Sequence, residues 1–97
     1  MRYQIILAPE AVEDFKTLSA NLRASVKGAL ETHLRHRPMK ESKSRIKRLR
    51  GLSHPQYRLR VGDIRIFYDI TGDSVEILAI VPKSEVASWL RRVGEER

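Results

Sequence analysis

The sequence predicts an α+β fold: an antiparallel β-sheet meander, an N-terminal helical hairpin packed on it, and a short C-terminal helix. Three observations carry that prediction. Tyr57-Arg58-Leu59-Arg60-Val61 and Ile64-Arg65-Ile66-Phe67-Tyr68 alternate in character on either side of Gly62-Asp63, as two strands joined by a two-residue turn do. Leu22, Val26, Leu30 and Leu34 recur every four residues, the spacing of one helix face. Val75 to Val81 is a mostly apolar run stopped by Pro82, and Val86, Trp89 and Leu90 form a helical stripe beyond it.

In chain order, Tyr3 to Leu7 reads as a short strand. Pro9 suits the first position of a helix, with Glu10, Glu13 and Asp14 near the positive end of its dipole and Val12, Phe15 and Leu18 as its apolar stripe. Ser19-Ala20-Asn21 breaks that helix, and Asn21 is the expected cap of the second. Pro38 disfavours helical geometry at Arg37 and ends it. Met39 to Gly51 carries Lys40, Lys43, Arg45, Lys47, Arg48 and Arg50; it reads as loop and then a strand, anchored by Ile46 and Leu49, that ends at Gly51. Ser53-His54-Pro55 reads as a turn, as does Thr71 to Ser74. The apolar latter half of Val75–Val81 suits an internal strand covered on both faces. Ser84 is the expected cap of the last helix, and Gly94 to Arg97 the expected frayed tail.

The central hairpin is the part that suggests a function. Its turn places Val61 opposite Ile64, Arg60 opposite Arg65, Leu59 opposite Ile66 and Arg58 opposite Phe67. Tyr57, Leu59, Val61, Ile64, Ile66 and Tyr68 then share one face. Arg58, Arg60, Arg65 and Phe67 share the other. Like charges across a ladder destabilise it, on the scale of ~0.2–1 kcal/mol per cross-strand pair, so folding gains nothing from the second face. Asp69 is the only acid expected on it. Guanidiniums beside an aromatic ring suit a polyanion that carries bases.

Composition narrows the field. Ninety-seven residues make one domain, 1–97. The formal charge of +7 favours nucleic acid or an acidic protein partner. No membrane is expected, since no apolar run approaches the ~18 residues of a spanning helix and the start lacks a signal-peptide core. Cysteine is absent, which excludes disulfides and thiolate metal sites and fits a reducing, cytoplasmic setting. His33 and His36 have no carboxylate at matching spacing, so no metal is expected. His54 reads as a turn residue near the basic hairpin. The carboxylates form neither a glycosidase pair nor a serine triad, and the glycines form no phosphate-cradling motif. Lys40 to Arg50 is equally readable as a solvated edge or as a nucleic-acid contact.

Leu49-Arg50-Gly51, Tyr57 to Tyr68, Val81-Pro82-Lys83-Ser84-Glu85-Val86 and Trp89-Leu90 resemble the RelE/ParE superfamily, the toxins of type II toxin–antitoxin pairs, and the similarity runs from Tyr3 to about Val93. The resemblance implies a RelE-like fold, no cofactor, and a cognate antitoxin as partner. In the RelE branch, which is favoured, it implies a ribosome-dependent mRNA endonuclease whose target is the ribosome and its mRNA. There the 2′-hydroxyl attacks the scissile phosphate. Carried over by position, Arg58, Arg60, Arg65 and Lys83 are the catalytic residues. Trp89, Phe67, Arg50, Lys47 and Arg48 are the expected RNA contacts. Trp89 stands where the family often has a tyrosine, and an indole can stack on a base but cannot give the proton a phenol might. The alternative is a ParE-like inhibitor of DNA gyrase without nuclease activity, and a non-toxic basic RNA-binding module is a third class.

Overall fold

The computed structural model describes residues 1–96 and organises them on the hairpin the sequence marks. β4 (Tyr57–Val61) and β5 (Ile64–Thr71) pair antiparallel in the expected register, Arg60 with Arg65 and Arg58 with Phe67. Gly62 makes the turn by taking φ +58°, a conformation that costs glycine little. β6 (Ser74–Pro82) continues the meander beside β5. β2 (Ile46–Arg48) adds to the other side of β4, and β1 (Gln4–Leu7) pairs parallel with β6, giving the order β1-β6-β5-β4-β2. The sheet is thus antiparallel except at β1.

Two layers of core follow from the alternation. α1 (Pro9–Thr17) and α2 (Ala20–Ala29), the latter extended by a π turn over Leu30–Leu34, cover one face. There Val26, Leu30 and Leu34 pack on Leu59, Ile66, Tyr68, Val75, Ile77 and Ile80. Leu22, at 41% exposure, falls off this face. Tyr68 also donates its hydroxyl to Pro38 O at 2.6 Å, tying the end of the helical hairpin to the sheet. On the opposite face Phe67, Leu78, Ala79 and Val81 are covered by Trp89 of α3 (Val86–Val93). β6 serves both layers through a bulge. Tyr68 pairs with Ile77 and Phe67 with Ala79, so Leu78 is left unpaired and the in–out phase of the strand reverses after it.

Several local expectations are corrected. Ser19, not Asn21, caps α2, its hydroxyl accepting from Leu22 N at 3.3 Å. Lys83–Glu85 forms a 3-10 turn before α3, and Ser84 makes no capping bond. β2 ends at Arg48, before the turn at Gly51, which has φ +80°. Leu52–His54 is a strand (β3) rather than part of a turn, because Glu95–Glu96 (β7) returns to pair with it. The expected fraying of 94–96 is therefore replaced by pairing, while Arg97 lies outside the described residues. No helix among the described residues is long and apolar enough to cross a membrane.

Candidate functional site

The alternation of the strands lays the outer face of the sheet out in rows. Residues directly opposite one another share a face, and neighbouring strands stand ~4.8 Å apart. One row runs Lys47, Arg58, Phe67, Ala79 across β2, β4, β5 and β6. The next runs Arg60, Arg65, Val81, and Arg60 N donates to Arg45 O at 2.9 Å, which puts Arg45 at its open end. Both rows are cationic toward β2 and apolar toward β6. α3 covers the apolar ends and leaves the cationic ends open.

The cations are not neutralised. Among the described residues the ion pairs of lysine and arginine are Lys16–Glu13, Arg35–Glu31 and Arg92–Glu10, His54 bonds Asp69, and none of these involves Arg58, Arg60, Arg65, Lys47 or Lys83. Asp69 lies further along β5 with its carboxylate engaged by His54 Nδ1 and by Gln56 N at 2.7 Å. Arg65 is 8% exposed; its Nη1 donates to Gly62 O at 2.7 Å and to Ile64 O at 3.1 Å, which curls the guanidinium against the turn. Arg58 is half-buried beside it, and its Nε is a buried donor without a protein acceptor. Burial, and then the neighbouring charges of Arg65 and Arg60, pull the Arg58 pKa below its usual value. An orphaned donor among like charges is a group that an anion could satisfy.

The remaining expected residues divide. Lys83 is exposed, and its backbone N donates to Asp63 O at 2.7 Å, which fixes it beside the hairpin turn on the rim of the Arg65 row. Lys47 is exposed opposite Arg58, and Arg50 is exposed at the Gly51 turn. Arg48 is opposite Tyr57 and so belongs to the other face; its guanidinium lies 5.3 Å from the Tyr57 ring centre and donates to Gln56 O at 2.6 Å. Phe67 and Trp89 do not offer open rings. They stack on each other, 4.7 Å between centres and 14° between planes, with exposures of 0% and 4%. The Trp89 Nε1 donates to Glu10 Oε2 at 2.7 Å, so the indole is held from both sides. Glu10 thus serves tertiary packing as well as a helix end.

Arg45 is the functional candidate that sequence reasoning left inside a charge run. Its place follows from the observed register: carrying the Ile46–Leu59 pairing back one step sets Arg45 opposite Arg60. No group of three or more His, Asp or Glu among the described residues is placed to hold a metal ion.

Residues 5–87 match the family model described as the ParE toxin of the type II toxin–antitoxin system parDE. The chain is 25% identical over 86 residues to the toxin RelE3 of Methanocaldococcus jannaschii, an alignment spanning 89% of this chain and 97% of that one. Its fold is similar to the archaeal RelE–RelB complex of Pyrococcus horikoshii OT3, with a TM-score of 0.70 at 22% identity over 86% of this chain and 97% of that chain. The RelBE2 toxin–antitoxin complex of Mycobacterium tuberculosis gives 0.68 at 23% identity, over 84% and 99%.

Proposed function

We propose, from the premise that this chain belongs to the ParE toxin family of type II toxin–antitoxin systems, that it is a ribosome-dependent mRNA endonuclease of the RelE kind. The observation that carries the reading is the unneutralised set Arg58, Arg60 and Arg65, with the orphaned Arg58 Nε at its centre. Two guanidiniums can hold a phosphate through parallel N–H bonds and stabilise the charge that grows on its oxygens. In the proposed step the 2′-oxygen attacks the neighbouring phosphorus and its proton passes to water. The bond from phosphorus to the 5′-oxygen breaks, and the Lys83 ammonium supplies the proton that oxygen needs. A cyclic phosphate and a 5′-hydroxyl remain. Guanidiniums stay protonated, with pKa values above ~12, so the arginines act by charge and position. The buried stack of Phe67 and Trp89 gives no stacking platform in this arrangement, and base recognition by Trp89 would require α3 to move.

The partner proposed is a cognate antitoxin, supported by the toxin–antitoxin complexes among structural relatives and made acidic by complementarity with a charge of +7. The setting proposed is the cytoplasm, where ribosomes are. One observation favours a second reading, inhibition of DNA gyrase without cleavage: among the described residues the outer face carries cations but no free aromatic or phenolic group. Induction without antitoxin separates the two. Mapping of RNA ends should give codon-spaced breaks in translated messages and none in naked RNA. Intact transcripts together with gyrase-trapped DNA breaks would reject the nuclease in favour of the second reading.

A further inference from the structure

The positive charge continues past the hairpin. Ten of the nineteen basic residues, but two of the twelve acids, lie between Arg37 and Arg65. A hollow of about 280 Å³ opens where the π turn after α2 meets the edge strand β2, lined by Thr32, His33, Arg37, Lys40, Ser42 and Arg45. Arg37, Lys40 and Arg45 are exposed and, among the described residues, in no ion pair. Glu41 also lines the hollow and accepts from Arg48 N at 2.9 Å through one carboxylate oxygen, so three cations there face a single acid. Ser42 Oγ accepts from Arg45 N at 3.0 Å and Ile46 N at 3.2 Å, which leaves its own proton for an acceptor in the hollow. Burial, then Arg45, lowers the His33 pKa, so the imidazole is neutral near pH 7 and keeps one N–H to donate. Arg45 also lines a second cleft together with Ser44, Arg60 and Gly62. One side chain therefore joins the hollow to the cationic rows.

We propose that this hollow is a second phosphodiester site, through which an RNA backbone crossing the Arg58–Arg60–Arg65 face continues around the β2 edge by way of Arg45. The proposal rests on the nuclease reading for its ligand but not for its test. A bland account exists: cations past a helix end offset the negative pole of its dipole. That role would be read in stability, not in RNA affinity. The hollow carries hydroxyl and imidazole donors beside its cations, which a dipole does not need and a phosphate uses.

The test measures the salt dependence of binding of the full-length toxin to a 2′-O-methyl single-stranded oligonucleotide, which cannot be cleaved by 2′-hydroxyl attack. Each phosphate contact contributes a slope of ~0.7 in log K against log salt for a single strand. Arg37→Gln/Lys40→Gln should therefore flatten the slope by about 1.4 and weaken binding about 25-fold at 0.1 M relative to 1 M salt. Arg2→Gln/Arg91→Gln removes the same charge from exposed positions outside the hollow and should leave the slope nearly unchanged. If the phosphate is ribosomal, oligonucleotide binding will hold and co-sedimentation with ribosomes will weaken by the same factor, which also supports the site. Unchanged affinity for both, with or without a lowered melting temperature, overturns it. Binding by a wild type that leaves translated messages intact on induction would count against the nuclease reading alone.

Discussion

Replacing Arg65 by alanine separates catalysis from folding. The substitution removes a guanidinium that, on the proposed reading, holds the scissile phosphate, and loss of one such charge-stabilising donor costs ~10²–10³ in rate, about 2.7–4 kcal/mol. Stability changes far less. Two hydrogen bonds to Gly62 O and Ile64 O disappear, each with a net value of ~0.5–1.5 kcal/mol. Against that, a nearly buried cation is removed from beside Arg58, whose pKa is held down partly by Arg65. The expected net loss is about 1 kcal/mol, or about 4–8 °C in melting temperature for a chain of this size. Single-turnover cleavage on programmed ribosomes reads the first quantity and a thermal melt reads the second. Arg65→Lys keeps the charge but not the planar fork, so it should recover part of the rate. A well-folded Arg65→Ala protein that cleaves within threefold of the wild type would refute the assignment.

Trp89→Phe should cost about 1 kcal/mol through the lost bond to Glu10, and Trp89→Ala about 3–5 kcal/mol through the cavity beside Phe67, while cleavage per folded molecule stays within a few-fold for Trp89→Phe. A hundredfold loss in folded Trp89→Phe would show that the indole works on substrate. Tyr68→Phe leaves Pro38 O without its donor and should lower stability by about 1–3 kcal/mol in melts at neutral pH. Burial also raises the Tyr68 pKa far above the ordinary 10.0, so the folded state keeps that proton. Its contribution is then complete below pH 10 and declines above it as the unfolded chain ionises; stability of Tyr68→Phe, followed from pH 9 to 12, should fall less steeply than that of the wild type. Asp14 accepts from Ile80 N at 2.9 Å, yet burial raises its pKa, so its charged form is the disfavoured one in the fold. Its contribution is fully present below pH 3.8 and lost as pH rises through the folded value, and Asp14→Asn should gain on the wild type in melts across that rise. An advantage of Asp14→Asn over the wild type that is larger below pH 3.8 than above it would contradict this.

The hairpin and its register were legible because a strand has period two and Gly62-Asp63 fixes where the count starts. The same count separated the arginines from the core and predicted which pairs would face each other. Other features leave no periodic trace. β3 and β7 are too short to show a pattern, and their pairing joins residues about forty apart. The bulge at Leu78 reverses the alternation within β6, so the run reads as apolar on both sides without revealing why. Phe67 was read with the arginines because it shares their face; that α3 would cover its end of the face depends on tertiary packing. Ile46 and Leu49 were too few to give β2 a register, and Arg45 was passed over for that reason.

The division of the outer face explains how two buried rings can matter to a charged site they do not open onto. α3 and the Phe67–Trp89 stack form an apolar wall along the edge of the cationic rows. Arg58 and Arg65 stand against that wall, and a charge beside apolar matter interacts more strongly with a partner than one in open water. The same desolvation disfavours the free protein, because it crowds partly dehydrated cations that no acid offsets. Binding any polyanion there relieves that cost in the folded state only, and so shifts the folding equilibrium as well. A short RNA analogue and an acidic antitoxin segment should therefore both raise the melting temperature, each in proportion to its occupancy of the same rows, and should compete. Additive stabilisation by the two would mean that they occupy separate surfaces.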